Sequence, residues 1–285
     1  MHLGVNVPNF GPGTDPGILR GWARTVEGLG YDLLMVSDHV AVTPDVAGKY
    51  PEPFYEPFTT LSWLAGTTDG IRLGTTVLVL PYRHPLLVAR MAANLDDLSG
   101  GRFVLGVGVG WARQEFETLG VPFERRGRLT DEHLGTIRAA WDAEAGHRGR
   151  RIPVWVGGNG DAGRRRAVRH GDAWHPLRLT IDALHDGLDR MKAIADEQQR
   201  PVPAFAPRIA LRLTPEPITT TGRLAGEGTV EQVLADLDRL RLLGAATVVL
   251  DTFAGDPEET RRPEVAWQAL ATVIAHHRAP RTEQP

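Results

Sequence analysis

Residues 95–116, LDDLSGGRFVLGVGVGWARQEF, carry the clearest information about the fold. In it, an apolar helix end passes through a Ser-Gly-Gly turn into a β-strand that ends in alternating glycines, Gly106, Gly108 and Gly110. Glycine weakens a strand, so three glycines at period two need a reason. One interpretation is that a large, flat molecule lies against this strand end. The other is tight packing of a helix against the strand.

The composition limits the class of protein. The chain has 285 residues, of which 42% are hydrophobic and 24% are charged, as is typical of a globular protein with a full core. Its net charge of −3 argues against nucleic acid or an acidic membrane as the main partner. The lack of cysteine excludes disulfides, thiolate catalysis and cysteine-bound metals. The histidines show no metal-ligand spacing, so no metal site is predicted.

The ends and apolar runs of the sequence bear on location. The first residues, MHLGVNVPNFGPG, contain no basic segment followed by a long apolar run, so we expect no signal peptide. No apolar stretch approaches the ~20 residues that a membrane-spanning helix needs. We therefore predict a cytoplasmic protein that does not insert into membranes.

Strand and helix patterns alternate along the chain. Strands are predicted at 3–8, 33–37, 71–80, 102–109, 153–156, 172–174, 208–213 and 247–251. Helices are predicted at 16–29, 57–68, 85–98, 162–170, 181–198, 230–243 and 257–277, with one or two more within 112–145. Asp15, Pro16 and Gly30 mark the cap, the first turn and the end of the first helix. Eight such strands predict a (β/α)8 TIM barrel as a single domain over residues 1–285, although an open doubly wound sheet shows the same alternation.

Long connections and polar residues gather after the strands. Residues 40–56 follow the second strand and residues 215–228 follow the seventh, and both are longer than ordinary loops. A barrel builds its active site at the carboxyl ends of its strands, so these insertions are predicted to wall a substrate site. The polar residues at strand ends are Asn6, Asp38, His39, Thr76, Asn159, His175 and Asp251. We expect them to converge on one mouth.

Three segments carry a resemblance to a known family. They are VSDHV (36–40), IRLGTTVLVLPYRHPLLVARMAANLDDLSGGRFVLGVGVGW (71–111) and IPVWVGGNGDAGRRRAVRHGDAWHP (152–176). Over residues 1–178 the chain resembles the luciferase-like superfamily of flavin- and deazaflavin-dependent oxidoreductases. The resemblance implies a (β/α)8 barrel, often dimeric, that holds an isoalloxazine-like ring at the strand ends. A small-molecule substrate and a homodimer are therefore expected.

Ser37-Asp38-His39 resembles the branch of this superfamily that uses the deazaflavin coenzyme F420. In that branch the matching Asp and His lie beside the reactive edge of the ring. A histidine side chain can exchange a proton near neutral pH. The resemblance therefore assigns His39 as the general acid/base and Asp38 either to the polar edge of the ring or to the orientation of His39.

The resemblance also implies where the cofactor is held. It places a non-proline cis peptide between Thr76 and Val77 against the ring. Further cofactor contacts are implied at Gly108, Val109, Gly110, Gly157, Gly158, Asn159 and Gly160. The last four residues open a helix, and glycine amides at a helix N-terminus favour an anion such as the cofactor's phosphate. The arginines at 164, 165, 166 and 169 follow, either reaching the phosphate or forming a solvated face.

One position departs from the family pattern. Some deazaflavin-dependent dehydrogenases of this superfamily carry a proton-donating Glu directly after the Gly-x-Gly-x-Gly run, where this chain has Trp111. This departure disfavours a sugar-phosphate dehydrogenase and suggests an apolar substrate wall. Asn6, Trp111 and His175 are the candidate substrate contacts.

Three functions remain open on the sequence. The first is an F420-dependent oxidoreductase that transfers a hydride between carbon C5 of the deazaflavin and a small organic substrate. The second is an FMN-dependent luciferase-like monooxygenase that uses reduced flavin and oxygen. The third is a flavin-binding barrel without turnover. The Ser-Asp-His run favours the first.

Overall fold

The computed structural model describes residues 1–148 and 151–278. The remaining positions of the predicted domain, 149–150 and 279–285, lie outside the described residues. The strands are β1 (His2–Asn6), β2 (Leu33–Val36), β3 (Arg72–Thr75), β4 (Leu78–Val79), β5 (Phe103–Gly108), β6 (Val154–Gly157), β7 (Ala173–His175), β8 (Ala204–Phe205), β9 (Arg208–Ala210), β10 (Arg212–Leu213), β11 (Glu227–Gly228) and β12 (Thr247–Asp251). The α-helices are α1 (Pro16–Gly28), α2 (Pro44–Ala47), α3 (Pro57–Ala65), α4 (Pro85–Leu98), α5 (Arg113–Thr118), α6 (Arg126–Arg148), α7 (Asp161–His170), α8 (Ile181–Glu197), α9 (Val230–Leu242) and α10 (Pro263–Arg278).

Nine of these strands form one parallel sheet in the order β8-β7-β6-β5-β3-β2-β1-β12-β9, and β4 pairs with β5 beside it. Only residues 206 and 207 separate β8 from β9, so the sheet curls until its two ends lie together. The amide of Ala206 donates to the carbonyl of Trp174 on one side, and the amide of Val249 donates to that of Pro207 on the other, each at 2.9 Å. The chain is therefore an α/β fold with a curled parallel sheet.

The core has two layers, one on each face of the sheet. The larger layer lies between the sheet and the helices. The smaller one fills the inside of the curl and consists of Leu33, Met35, Val104, Trp155, Ala173, Ala206 and Val249. Side chains two residues further along a strand point to the same face. The inner layer is therefore continued towards the carboxyl ends by the residues that follow it at that spacing, His175, Arg208 and Asp251.

Local signals set the helix boundaries as predicted at α1. The side chain of Asp15 caps the helix by accepting from the amide of Ile18 at 2.8 Å, and Pro16 is the first helical residue. Gly30 follows the helix with a φ of +81°, a conformation that glycine adopts without a steric penalty. None of the described helices has the length and apolar character needed to cross a bilayer.

Two predicted strands were wrong in detail. The strand predicted at 71–80 is interrupted after Thr75, and residues 80–82 form a 3-10 helix instead. The strand predicted at 208–213 divides into β9 and β10, which belong to different sheets. The short strand β8 was missed because two residues within a proline-rich segment carry no strand periodicity.

Candidate active site

His39, three residues after the end of β2, is paired with a buried glutamate. Its Nδ1 lies 2.6 Å from Oε2 of Glu115, a residue of α5 that is fully buried. The other oxygen of Glu115 accepts from the backbone amides of Val40 and Ala41 at 2.6 and 3.0 Å. A carboxylate can only accept, so Nδ1 of His39 is the donor. The second ring nitrogen, Nε2, is hydrogen-bonded to no residue among those described, and it can accept or donate a substrate proton.

Tyr82 completes the surroundings of Glu115. Its hydroxyl donates to Oε2 of Glu115 at 2.9 Å. Burial works to raise the pKa of Glu115, but the hydrogen bond and charge of His39 and the two backbone amides outweigh it and hold this pKa below its ordinary value. Burial and the neighbouring carboxylate raise the pKa of Tyr82. The phenol thus stays protonated, and Glu115 stays an ionised acceptor that fixes the orientation and tautomer of His39.

The side chain of Asp38 is hydrogen-bonded to Arg83 and to the backbone of Val79, and its contact with a cofactor ring stays a prediction. Its carboxylate receives two hydrogen bonds from the guanidinium of Arg83, at 2.7 and 2.8 Å, and one from the amide of Val79 at 2.8 Å. Arg83 also donates to Glu56 at 2.9 Å. Burial raises the pKa of Asp38, and the hydrogen bonds and charge of Arg83 oppose this effect. The residue that orients His39 is Glu115, not Asp38, because the Asp38 side chain is fully buried and already satisfied.

Aromatic rings surround the imidazole of His39. The ring of Tyr50 stacks on it at 5.6 Å, and those of Phe54 and Trp111 approach it edge-on at 5.4 and 5.7 Å. The ammonium of Lys49 lies 4.5 Å from the centre of the Trp111 ring. Trp111 is 41% exposed, a large apolar surface for a side chain beside a buried histidine. These rings form an aromatic wall beside His39, and the contact of Trp111 with a substrate stays a prediction.

The peptide bond between Thr76 and Val77 is cis, as the resemblance implied. The half-buried Val77 lies between the glycines of two neighbouring strands. A Cβ atom on Gly108 would come within 2.5 Å of Cγ2 of Val77, and one on Gly157 within 3.1 Å of its Cγ1. These glycines leave room for the Val77 side chain.

The other glycines of β5 have a similar explanation. A Cβ atom on Gly106 would lie 1.9 Å from the carbonyl oxygen of Thr75. Gly110 has a φ of +78°, and it and Val109 are half-buried at the end of the strand. The expectation that these glycines make room for a flat ligand is therefore corrected at Gly106 and Gly108. They make room for the neighbouring segment around the cis bond, and this contact is strand against strand rather than helix against strand.

His175 lies in the polar layer that continues the inside of the sheet. Its Nδ1 donates to the carbonyl of Ala206, so Nε2 accepts from the hydroxyl of Thr76 at 2.9 Å. Burial lowers the pKa of His175 to about 4, which leaves the ring neutral at physiological pH. Arg208 donates to both the carbonyl and the hydroxyl of Thr76, at 2.7 and 3.2 Å. Both ring nitrogens of His175 are therefore used within the protein.

A buried carboxylate organises the rest of this layer. Oδ2 of Asp251 accepts from Arg208 at 2.9 Å and from Nε of Arg178 at 3.1 Å, and its Oδ1 accepts from the amide group of Asn6 at 3.0 Å. Burial works to raise the pKa of Asp251, but the two guanidinium groups outweigh it and lower the pKa below its ordinary value. Asn6, a candidate substrate contact, is 1% exposed and donates to Asp251.

The predicted phosphate loop, Gly157–Gly160, forms the entry to α7. Asn159 ties the loop to the segment after β7 through two hydrogen bonds with Leu177, at 2.9 and 3.0 Å. The indole of Trp174 donates to the carbonyl of Gly158 at 2.8 Å. No described side chain caps the helix, and a Cβ atom on Gly160 would meet nothing within 4 Å. An uncapped helix N-terminus with open space beside it fits an anion.

The arginines of α7 mostly face other partners. Arg165 pairs with Glu197 at 3.0 Å, and Arg166 pairs with Asp131 at 2.7 Å. Arg164, in the first turn, pairs with Asp161 at 2.9 Å. Of these three, only Arg164 lies in the turn that adjoins the predicted phosphate loop.

The described residues thus bring together the buried pair of His39 with Glu115, the cis bond at Thr76 and the uncapped helix N-terminus at Gly160. Comparison with known proteins identifies the family. A family model described as luciferase-like monooxygenase matches residues 1–220. The chain belongs to this family. The matched residues include Asp38, His39, Thr76 and Gly157.

One curated relative of this luciferase-like chain has a named activity. The phthiodiolone/phenolphthiodiolone dimycocerosates ketoreductase of Mycobacterium tuberculosis is 28% identical over 253 residues. The aligned region covers 76% of this chain and 65% of the ketoreductase.

Two solved structures show the same fold. One is the coenzyme F420-dependent tetrahydromethanopterin reductase of Methanopyrus kandleri, with a TM-score of 0.72, 15% identity and coverage of 97% of this chain and 99% of that one. The other is the oxygenating constituent of 3,6-diketocamphane monooxygenase from Pseudomonas putida in complex with FMN, with a TM-score of 0.73, 15% identity and coverage of 96% and 97%. At this level of identity, the likeness concerns the fold alone.

Several residues of the luciferase-like site were not found from the sequence. They are Glu115, Tyr82, Arg83, Arg178 and Arg208. Glu115 lies in WARQEF, residues 111–116. An acidic residue in a short helix is ordinarily exposed, and no neighbouring residue in the sequence indicates its partner. The bidentate pair of Arg83 with Asp38 joins residues 45 positions apart. Such a pair can be recognised only when the relative positions of the strands are known.

Proposed function

We propose that this chain is an F420-dependent oxidoreductase that transfers a hydride between the deazaflavin and a small organic substrate, with His39 as the general acid/base. The observation that carries the proposal is the 2.6 Å contact between Nδ1 of His39 and Glu115. It leaves Nε2 available to a substrate, because the carboxylate occupies the other ring nitrogen.

The residues present fit the cofactor. The uncapped N-terminus of α7, with open space at Gly160, suits its phosphate, and Arg164 lies in the same turn. The half-buried Val77 and the half-buried end of β5 offer a surface for a ring. When bound, F420 would donate or accept a hydride at its carbon C5.

The chain's own residues would manage the accompanying proton. Glu115, held by Tyr82 and two backbone amides, keeps a proton on Nδ1 of His39, so Nε2 gives or takes the proton of the substrate. The pair of Asp38 with Arg83 anchors the segment that carries His39. We further propose that β8 and β9 act as one strand that completes an eight-stranded barrel, and that the insertions at 40–56 and 215–228 wall the substrate.

The relatives support a redox function but allow two cofactors. The name of the mycobacterial relative describes the reduction of a ketone, which is a hydride transfer of the proposed kind. The family description and the FMN-bound neighbour favour the second candidate, an FMN-dependent monooxygenase.

Equilibrium fluorescence titration of the purified protein with F420 and with FMN, side by side, tests the proposal. We expect F420 to bind more tightly than FMN. Tighter binding of FMN, especially reduced FMN, would replace the proposal with the monooxygenase. Binding of neither would favour a barrel without turnover.

A further inference from the structure

Arg178 and Arg208 both bind one carboxylate oxygen of Asp251, at the carboxyl end of β12. The guanidinium groups of Arg178 and Arg208 both donate to Oδ2 of Asp251, at 3.1 and 2.9 Å. The neighbouring imidazole of His175 is neutral, since its pKa is lowered to about 4 by burial. Two positive groups and one negative group leave this cluster with one net positive charge. An excess charge in a largely buried place needs a counter-charge or solvent.

Arg178 holds the solvent-facing side of the cluster. Its side chain is 32% exposed, whereas that of Arg208 is 11% exposed and that of Asp251 is fully buried. Its Nε and one terminal nitrogen are bound to Asp251 and to the carbonyl of Phe253. Its other terminal nitrogen, Nη1, makes no hydrogen bond to any residue in the described ranges. Arg178 thus offers two N–H groups outwards while Asp251 fixes the orientation of the guanidinium.

The backbone and the packing around the cluster point to a ligand as well. Arg178 has a φ of +51°, a left-handed conformation that bulky side chains rarely adopt and that is found preferentially at functional sites. Two buried polar atoms of the layer, Oδ1 of Asn6 and Nε of Arg208, have no hydrogen-bond partner among the described residues. Unpaired buried atoms are uncommon in native proteins and call for a missing partner.

The cluster is joined to the aromatic wall beside His39. Arg178 donates to the carbonyl of Phe253, whose ring lies 5.9 Å from that of Tyr50. Tyr50 in turn stacks on the ring of His39 at 5.6 Å. The cationic cluster and His39 are therefore linked through Phe253 and Tyr50.

From this arrangement we infer that Arg178, backed by Arg208 and Asp251, binds an anionic group of the substrate, and that the substrate is an organic carboxylate or a similar anion. The inference rests on the proposed function, because it names the substrate class of that same site. A planar guanidinium recognises a carboxylate through directed, charge-assisted hydrogen bonds. The anion would supply the counter-charge that the cluster lacks.

Calorimetric titration with benzoate and with benzamide, its uncharged analogue of the same shape, tests the inference without turnover. Wild-type protein should bind benzoate at least about tenfold more tightly than benzamide, the difference expected for a hydrogen bond to a charged group. Arg178→Gln should remove this preference, and Arg178→Lys should retain part of it. Arg241→Gln is the matched control, since Arg241 is 39% exposed and pairs with Asp238 on α9, away from the cluster. Thermal melting of each variant checks folding.

The titrations are repeated on protein loaded with whichever of F420 and FMN it binds. Benzoate binding that survives loading assigns the cationic group to the substrate. Loss of benzoate binding on loading would overturn that assignment, because the anion would then be the cofactor's own. Equal affinity for the two probes, no binding of either at millimolar concentration, or an unchanged preference in Arg178→Gln would also overturn it. None of these outcomes depends on which cofactor the protein prefers.

Discussion

Nδ1 of His39 and Oε2 of Glu115 lie 2.6 Å apart, although 76 positions separate the two residues in the chain. The pair joins the end of β2 to the helix that follows β5. Nδ1 of His39 is thus bound to a carboxylate, whereas Nε2 is available to exchange a proton, as a general acid/base requires.

Replacing Glu115 by Gln should lower turnover while the fold is kept. The amide oxygen can still accept from the amides of Val40 and Ala41, but the amide NH2 group cannot accept from Nδ1 of His39. We expect kcat to fall by a factor of about 10²–10⁴, the usual contribution of a positioned acid or base. The pH profile of kcat should change in shape as well, because Nδ1 of His39 no longer has the carboxylate acceptor that fixes its tautomer.

Glu124→Gln is the control for this change. Glu124 is 76% exposed and pairs only with the exposed Arg113 among the described residues. Its variant should keep the wild-type kcat and pH profile. A Glu115→Gln protein with an unaltered pH profile would mean that the glutamate has a structural role alone.

Removing Arg83 should destabilise the protein strongly. In Arg83→Met the fully buried carboxylate of Asp38 loses its bidentate partner. Breaking a buried pair from one side costs about 3–5 kcal/mol of unfolding free energy. Urea unfolding measures this, and the double variant Asp38→Asn with Arg83→Met should recover part of the loss.

Arg113→Met provides the comparison for Arg83→Met. Arg113 is 54% exposed in its pair with Glu124, and exposed pairs contribute at most about 1 kcal/mol. A similar, small loss in both variants would show that the Asp38 pair adds little to stability.

The neutral His175 should make stability depend on pH. Its pKa is lowered from 6.5 to about 4 in the folded protein, so in this range the unfolded chain binds the extra proton. The contribution is fully present above pH 6.5 and is lost as the pH falls towards 4. The loss amounts to about 3 kcal/mol at most. Urea unfolding of His175→Gln, which keeps a polar side chain, should show a flatter dependence between these pH values than the wild type. Parallel curves of unfolding free energy against pH for the two proteins would show that His175 does not cause this pH dependence.

A methyl group at position 106 should not be tolerated. A Cβ atom there would lie 1.9 Å from the carbonyl oxygen of Thr75, so Gly106→Ala forces two strands apart. We expect a loss of about 3 kcal/mol in unfolding free energy. Gly135→Ala is the opposite case, because its Cβ meets nothing within 4 Å in the middle of α6, and it should stabilise by up to about 1 kcal/mol. Equal behaviour of the two variants would reject the packing explanation for the glycines of β5.

The sequence predicted what is local or periodic. The alternation of strands and helices, the cap at Asp15 and the position of His39 at a strand end follow from patterns of a few residues. The cis bond at Thr76 was reached by resemblance alone, since no local residue indicates it.

What could not be predicted depends on contacts between distant segments. Glu115, Arg83 and Arg208 are charged residues with unremarkable neighbours, and only the curl of the sheet makes them buried partners of His39, Asp38 and Asp251. From the sequence, the glycines of β5 suggest either a flat ligand or a closely packed helix, because their actual neighbour, the segment at residues 75–77, comes from another strand.

An anaerobic single-turnover experiment with reduced F420 tests directly whether this protein transfers a hydride with His39 as the general acid/base. The protein is mixed with simple ketones and ketone carboxylates, and oxidation of the deazaflavin is followed by absorbance in wild type and in His39→Gln. We expect wild-type protein to oxidise the cofactor without oxygen. We expect His39→Gln to bind F420 with unchanged affinity but to react about 10²–10⁴ times more slowly. An undiminished rate in His39→Gln, or turnover seen only with reduced FMN and oxygen, would contradict these expectations.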